Sequence, residues 1–438
     1  MHAARTLLGA LVLGVSCTIP IAGANQGPFP AVRMEGMPPV YELRNGHWFD
    51  GHRFIADTRY TVYGAITDRR PEPVDSVIDL RGGYVLPAFG EAHNHNAVVS
   101  DTGVAGRYLR AGIFHVKNPN SFPRDRVAAK GRFNVPGSID VVFANGGITG
   151  RGGHPVDLVR RNIARGIWKP EYGEGDFYHT IESRAELEAK WPAIVAAEPD
   201  FIKTYLLFSE EYARRLADST TFGWRGLDPA VLPEIVRRAH AADLRVSTHV
   251  ETAADFRAAV AAGTDEINHL PGFRPEGNAL SGYAKLDRYR LTAADARAAR
   301  ARGVTVVTTV SEVLEELDGA IAKGGAEGDA ARRSRAMIVE NLRLLRDAGV
   351  TVAVGSDRYR LTSAPEVLAL RRTGVYDDAT LLRMWSMTTP RAIFPDRKIG
   401  SLEAGDEANL VVLAGDPLAD FANVGRITVR MKAGFLLR

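Results

Sequence analysis

Eight apolar segments recur through the middle of the chain, each of strand length, and segments rich in Ala, Arg and Glu separate them. They are residues 84–89, 111–116, 138–144, 200–207, 244–250, 265–270, 304–310 and 350–355. Strands that alternate with helices predict βαβ units and a parallel sheet, and eight such units are typical of a (β/α)8 TIM barrel. We therefore expect an α/β fold whose functional side chains collect at the carboxyl ends of the strands.

Several of the intervening segments have helical periodicity. Residues 233–242 begin with a proline, which suits the first turn of a helix, and residues 332–348 carry apolar side chains at helical spacing. Residues 183–197 are also predicted to be helical, and we expect Pro192 to interrupt them because proline has no backbone N–H.

Both ends of the chain have a different pattern of short alternating segments and turn residues. The turns Asn45-Gly46 and Asp50-Gly51 predict β-hairpins near the start, and residues 409–413 and 427–431 predict strands near the end. We expect residues 25–83 and 398–438 to form one composite β-sandwich domain, beside a barrel domain of residues 84–397.

The first 24 residues have the pattern of a cleaved signal peptide. Arg5 precedes the apolar run 7–15, and Ala22-Gly23-Ala24 offers small residues at a cleavage site. This predicts a periplasmic or secreted protein, with lipoprotein anchoring at Cys17 as the minor alternative. Cys17 is the only cysteine, so a chain cleaved after Ala24 would contain no disulfide and no cysteine-based metal site.

Charge and hydropathy restrict the partners. The net charge is only +3, and no basic block is interleaved with aromatic residues, which argues against nucleic acid. No segment has the roughly 20 uninterrupted apolar residues of a membrane span. A small-molecule substrate is the expected partner, and the sequence leaves a homo-oligomer open.

Ionisable residues occupy the ends of five predicted strands. Singly, each has a structural explanation: a hydrogen-bonded core histidine, a lysine that reaches the surface, or an aspartate that caps a helix. Together they indicate a metal site, because imidazole and carboxylate groups suit Zn²⁺ and similar divalent ions. The residues are His93, His95, Lys203, His249, His269 and Asp357.

With these residues in place, the chain resembles the amidohydrolase superfamily, which comprises metal-dependent hydrolases with a (β/α)8 barrel and a split β-sandwich. The likeness is to the binuclear, carboxylated-lysine type and to its imidazolonepropionase-like and Xaa-Pro dipeptidase-like branch. It rests on His-x-His at 93–95, Asp-Phe-Ile-Lys at 200–203, Gly-Ser-Asp at 355–357, and the tail segments 399–405 and 408–413.

The resemblance implies two divalent metal ions, with zinc as the first expectation. His93, His95 and Asp357 would bind the more buried ion, and His249 and His269 the more exposed one. Lys203, carboxylated by CO2, would bridge the two. In this mechanism a hydroxide that bridges the ions attacks an amide carbonyl, and Asp357 transfers the proton to the leaving nitrogen.

Two further residues are candidates for substrate contact. His154, in Gly152-Gly153-His154-Pro155, matches a motif of this branch and is expected to polarise the substrate carbonyl or hold a carboxylate, with helix capping as its structural alternative. Tyr205 shares a strand face with Lys203 and is expected to line the pocket, although a structural tyrosine fits equally. One departure from the family stands beside the first motif, where Glu91 replaces the usual aspartate.

The leading functional hypothesis is hydrolysis of an amide C–N bond in an N-acyl amino acid or dipeptide-like substrate. A mononuclear cyclic amidohydrolase or deaminase is the first alternative, and Lys203 argues against it because mononuclear members usually lack this lysine. A lactonase or esterase could use the same site. A non-catalytic binding protein is disfavoured because the sequence retains every metal ligand that the family pattern requires, together with Asp357.

Overall fold

The computed structural model describes residues 29–30, 36–98, 100–276 and 282–437. The predicted signal peptide, 1–24, and Cys17 lie outside these residues. None of the helices in the described part of the chain is long and apolar enough to cross a membrane.

Ten parallel strands in two sheets build the α/β part. The three-stranded sheet has the order Asp140–Phe143, Ile113–Asn118, Phe89–Glu91. The seven-stranded sheet has the order Tyr178–Thr180, Gly147–Thr149, Ile202–Tyr205, Val246–His249, Glu266–Asn268, Thr305–Thr308, Thr351–Val354. The predicted parallel α/β fold is confirmed. Strands 147–149 and 178–180 were not predicted.

Backbone hydrogen bonds join both edges of the three-stranded sheet to the seven-stranded sheet. The Ala92 N–H donates to the Val354 carbonyl at 2.8 Å, which places the end of the first strand beside the last. The Asp200 N–H donates to the Phe143 carbonyl at 2.8 Å, just before the strand that carries Lys203. The strand ends that hold the candidate ligands are thereby brought to the same side of the structure.

Helices connect most of the strands. The helix Ala253–Ala262 shows why they form where they do: Thr252 and Asp255 make a capping box at its start, and Gly263 ends it with a φ of 84°. The α-helices are Val104–Arg110, Pro123–Ala129, Val156–Ala164, Arg184–Ala196, Tyr212–Ala217, Leu232–His240, Ala253–Ala262, Ala293–Ala301, Ser311–Lys323, Gly325–Asp347, Ala364–Thr373, Asp378–Arg383 and Thr389–Ile393, with a π-helical turn at Met384–Thr388.

The expected interruption at Pro192 was wrong, since the helix Arg184–Ala196 runs through it. Pro192 lies on the exposed face of the helix, where the carbonyl that loses its N–H partner can bind water. The predicted helix 332–348 was too short, because the observed helix already begins at Gly325.

An eight-stranded, mostly antiparallel sheet combines both ends of the described chain. Its strands are Tyr41–Phe49, Phe54–Val62, Ala65–Thr67, Ser76–Asp79, Tyr84–Pro87, Leu410–Leu413, Ile427–Lys432 and Phe435–Leu436. A separate pair joins Phe29–Pro30 to Pro71–Glu72. The sheet packs around its own apolar cluster, which includes Leu43, Trp48 and Val412.

Two details of this sheet correct the sequence reading. Asn45-Gly46 is a bulge within the single strand Tyr41–Phe49 and not a hairpin turn, although Asp50-Gly51 does lie in the turn. The predicted first barrel strand, 84–89, is divided. Tyr84–Pro87 belongs to the sheet of the chain ends, where it pairs antiparallel with Leu410–Leu413 and parallel with Tyr41–Phe49, and only from Phe89 does the chain pair with Ile113–Asn118. Pro87 marks the change because it cannot donate to a ladder.

Candidate metal centre

Three predicted ligands meet where the first and last parallel strands end. His93 and His95 follow the strand Phe89–Glu91, and Asp357 follows Thr351–Val354. Asp357 Oδ1 lies 3.7 Å from His93 Nε2 and 3.5 Å from His95 Nε2. One donor atom from each of the three lies within 4.8 Å of the others, a spacing that can enclose a metal ion.

The other two histidines adjoin this group. His249 is the last residue of the strand Val246–His249, and His269 directly follows Glu266–Asn268. The ring centroids of His249 and His269 are 4.4 Å apart, and those of His93 and His269 are 4.6 Å apart. All four predicted histidine ligands therefore form one continuous cluster.

Hydrogen bonds orient three of these rings. His269 Nδ1 lies 2.7 Å from Thr309 Oγ1, His95 Nδ1 lies 3.3 Å from the Asn120 carbonyl oxygen, and His249 Nε2 lies 3.1 Å from a carboxylate oxygen of Glu251. A ligating histidine characteristically anchors its second ring nitrogen in this way. The nitrogens left for a metal are Nε2 of His95 and of His269, and Nδ1 of His249.

Lys203 lies in the strand Ile202–Tyr205 and is 1% exposed. Its Nζ donates a hydrogen bond to the Asn268 side-chain oxygen. Burial lowers the pKa of Lys203 to about 7, because removal from water disfavours the charged amine. A neutral amine is the form that reacts with CO2, so the position suits carboxylation.

A buried polar network lies under Lys203. Glu266 Oε1 accepts hydrogen bonds from Lys117 Nζ at 2.7 Å, Ser247 Oγ at 2.8 Å and Asn268 Nδ2 at 2.7 Å. Ser247 Oγ also lies 2.8 Å from Asn268 Oδ1. The amide that receives the Lys203 hydrogen bond is thus held in one orientation.

The donor set fits divalent metal ions. Burial lowers the pKa of His93, His249 and His269 well below the usual histidine value, which keeps these imidazoles neutral as metal ligands must be. His93 Nδ1 is buried, and nothing in the described part of the chain forms a hydrogen bond with it. Neutral imidazoles beside a carboxylate and an amine are the ligands that zinc-like ions take.

His154 and Tyr205 lie beside this cluster. The His154 ring centroid is 5.4 Å from that of Tyr205 and 5.6 Å from that of His249. His154 Nδ1 lies 3.4 Å from Asp157 Oδ1, while burial lowers the pKa of His154 to about 4. Tyr205 is 3% exposed, and burial raises the pKa of its hydroxyl. Both residues adjoin the histidine cluster, and their contact with a substrate stays a prediction.

Glu91 links the two strands that supply the first ligand group. Its carboxylate accepts the Ser356 backbone N–H at 2.8 Å and the Ser356 hydroxyl at 3.0 Å. Glu91 is fully buried, and burial raises the pKa of its carboxyl well above the usual value. The residue therefore supports the Gly355-Ser356-Asp357 turn, as expected for a position next to the ligands.

Sequence reasoning missed the residues that hold the ligands. Glu251 contacts His249, Thr309 contacts His269, and Asn268 contacts Lys203. Glu251 lies two residues after His249, and alternate residues of an extended segment point to the same side, so this contact could have been predicted from the sequence. Arg274, which donates to Glu251 at 2.9 Å, lies in a loop and had no comparable pattern.

Parallel strands that converge on histidines, a lysine and an aspartate define a metal-dependent hydrolase. Residues 220–436 match the Amidohydrolase family model. This part of the chain belongs to the amidohydrolase family, and the protein is a hydrolase that acts on carbon–nitrogen bonds. Among curated protein sequences, none matches the chain.

Solved structures with the same fold cover most of the chain. Ochratoxinase from A. niger is 15% identical with a TM-score of 0.67, over 91% of this chain and 96% of that one. A Xaa-Pro dipeptidase with bound methionine in its active site is 16% identical with a TM-score of 0.66, over 91% of this chain and 100% of that one. Molinate hydrolase is 16% identical with a TM-score of 0.67, over 92% of this chain and 95% of that one. These likenesses show the fold.

Proposed function

We propose that this protein hydrolyses the amide C–N bond of an N-acyl amino acid or dipeptide-like compound. The reaction would use two divalent metal ions, and zinc is the first expectation. The observation that carries the proposal is the buried Lys203 amine, which lies close enough to the four strand-end histidines and Asp357 to interact electrostatically with each of them. Similarity to a Xaa-Pro dipeptidase supports the substrate class.

We also propose that the two parallel sheets close into one (β/α)8 barrel and that the chain ends form a β-sandwich beside it. The hydrogen bonds from Ala92 to Val354 and from Asp200 to Phe143 support closure. A barrel would place all the candidate ligands at one mouth, where active sites of this fold lie.

In the proposed centre, His93, His95 and Asp357 would hold one ion, and His249 and His269 would hold the other. Divalent ions bound there would supply Lewis-acid chemistry, which polarises a carbonyl and lowers the pKa of water. Lys203 would add a ligand as a carbamate, which forms when its neutral amine nitrogen bonds to the CO2 carbon and releases a proton.

The remaining steps belong to side chains of the protein. Asp357 accepts a proton from the attacking water and delivers it to the leaving nitrogen. His154 stands beside the His249 ring and, as the neutral tautomer protonated at Nε2, donates a hydrogen bond to the substrate carbonyl oxygen, where negative charge develops. Tyr205 forms a wall of the pocket.

Metal content and the Lys203→Ala variant test this function. The wild type should bind two ions and release the amine from N-acyl amino acids or dipeptides, whereas Lys203→Ala should lose one ion and most of the activity. After incubation with ¹³CO2, the wild type should show a carbamate ¹³C resonance that Lys203→Ala lacks. Lys169→Ala is the control, because Lys169 is an exposed lysine whose nearest acidic partner is 3.9 Å away.

Two results would redirect the proposal. A single bound ion together with full activity of Lys203→Ala would favour the mononuclear alternative, a cyclic amidohydrolase or deaminase. Turnover of lactones or esters without any amide would assign the same site to a lactonase or esterase.

We further propose that residues 1–24 are removed and that the mature protein is periplasmic or secreted. The support is the sequence pattern of Arg5, the apolar run 7–15 and Ala22-Gly23-Ala24. Amino-terminal sequencing of the exported protein should begin at Asn25, whereas a lipid-modified Cys17 at the amino terminus would contradict cleavage after Ala24.

A further inference from the structure

We propose that Arg274 forms an anion subsite beside the metal centre and binds the free carboxylate of the substrate. The inference rests on the proposed function and adds to it a residue that selects amides bearing a carboxylate.

The loop after His269 brings Arg274 close to the predicted ligands. The Phe273 ring stacks on the His269 ring, with centroids 3.8 Å apart and an interplanar angle of 8°, and its centroid lies 5.7 Å from that of His249. Arg274 follows directly. Its Nη2 donates to Glu251 Oε1 at 2.9 Å, and this same oxygen lies 3.1 Å from His249 Nε2. One carboxylate oxygen therefore separates the guanidinium from a predicted metal ligand.

The Arg274 guanidinium keeps capacity for a ligand. Its side chain is 41% exposed, although the Glu251 side chain that it contacts is 0% exposed. The Nε–H is buried, and no acceptor for it exists among the residues that the structure describes. A guanidinium carries five N–H donors in a fixed plane. The hydrogen bond to Glu251 therefore leaves other N–H groups of Arg274 that can donate to a second carboxylate.

Aromatic rings orient the guanidinium. Its Cζ lies 5.1 Å from the Trp224 ring centroid and 6.0 Å from that of Phe273. Contact with aromatic faces favours arginine and lowers the entropy lost when the side chain binds a ligand. The same rings offer apolar surface to the substrate, so an amino acid with an aromatic side chain suits the subsite.

A purely structural arginine would serve only to neutralise Glu251. That role requires one contact and gives no reason for the guanidinium to remain half-exposed between two rings. Carboxylate recognition accounts for both features, because arginine binds carboxylates through paired N–H donors. The two roles differ in what they predict for substrates with and without a carboxylate.

A matched substrate pair separates them. N-acetyl-L-phenylalanine carries the carboxylate, and its primary amide does not; acetate release reports the same bond cleavage in both. Arg274→Gln should lower kcat/KM for the acid about 10- to 100-fold, mainly through KM, and leave the amide within about 2-fold. Arg274→Lys should recover part of the loss, because it restores the charge without the planar fork. Equal losses on acid and amide would overturn the proposal.

Arg257→Gln is the control, since Arg257 forms a partly exposed ion pair with Asp295 on the outer helices. It should leave both substrates unaffected. If Arg274→Gln does not fold, as judged by circular dichroism, Arg274→Lys carries the test and should lose activity on the acid alone.

A binding measurement with ligands that cannot be hydrolysed tests the subsite independently of the proposed function. Isothermal titration of 3-phenylpropionate and 3-phenylpropanamide into metal-loaded protein should show that the acid binds at least about 10-fold more tightly, and that Arg274→Gln removes the difference. If the wild type hydrolyses neither acetylated compound but shows this preference, the function fails and the subsite stands. Equal affinity for the two ligands, or no binding of either, refutes the subsite.

Discussion

The buried ion pair under Lys203 offers the sharpest test of how this site is supported. Lys117 and Glu266 side chains are 6% and 2% exposed, and their charged atoms are 2.7 Å apart. Removal of one partner leaves an uncompensated buried charge, which costs about 3–5 kcal/mol. We therefore expect Lys117→Met and Glu266→Gln each to lower the free energy of unfolding by about that amount.

The double variant carries the decisive comparison. With both charges gone, no buried ion lacks a partner, so Lys117→Met/Glu266→Gln should be at least about 2 kcal/mol more stable than the sum of the single losses predicts. Urea titrations of all four proteins, followed by circular dichroism, measure this coupling. Additive losses would show that the two side chains do not stabilise each other as an ion pair.

The same variants should separate stability from metal binding. Glu266 accepts the Asn268 Nδ2–H and thereby keeps the Asn268 oxygen directed at Lys203. Glu266→Gln offers an amide in its place and permits Asn268 to turn, whereas Lys117→Met leaves that contact intact. Metal content per folded chain should therefore fall in Glu266→Gln and remain near the wild-type value in Lys117→Met.

Three further variants test other parts of the site and the fold. His154→Gln should lower kcat about 100-fold with unchanged metal content, as expected when a group that stabilises developing charge is lost. Gly355→Ala should destabilise the fold by about 1–3 kcal/mol and weaken metal binding, because its Cβ would lie 2.7 Å from His93 Cβ. Burial lowers the pKa of His115 from 6.5 to about 4, so between these values the unfolded chain binds more protons and stability falls with falling pH. His115→Leu should remove up to about 3 kcal/mol of the loss in unfolding free energy between pH 6.5 and pH 4, as measured from urea midpoints at the two pH values. If the variant loses as much stability as the wild type over this range, His115 is not the group responsible.

The sequence was most informative where one polar residue ends an apolar strand. His249 and His269 stand at or just after such ends, and the structure brings their rings within 4.4 Å of each other. Parallel strand order alone makes this convergence predictable, because it places the carboxyl ends on one side. The position of Tyr84–Pro87 was not predictable in the same way, since an apolar run does not reveal which of two sheets it joins.

The contacts that orient the ligands depend on the folded structure. Lys117 and Glu266 are 149 residues apart in sequence, and no local pattern pairs them. Thr309 and Asn120 are ordinary loop residues until the fold brings them to His269 and His95. The candidate ligands could be selected from residue type and strand position, whereas the partners that hold them required the three-dimensional arrangement.

Two of the candidate ligands have a strained backbone conformation. His269 has a φ of 77° and Asp357 a φ of 50°, both in the left-handed region that costs non-glycine residues about 1–3 kcal/mol. Each is held by a backbone hydrogen bond, from His269 N–H to the Val307 carbonyl at 3.0 Å and from Asp357 N–H to the His93 carbonyl at 2.9 Å. The neighbouring strands thus compensate for the strain. Because these bonds are made within the protein itself, the fold directs the candidate ligands toward one another, which would reduce the conformational ordering that metal binding requires.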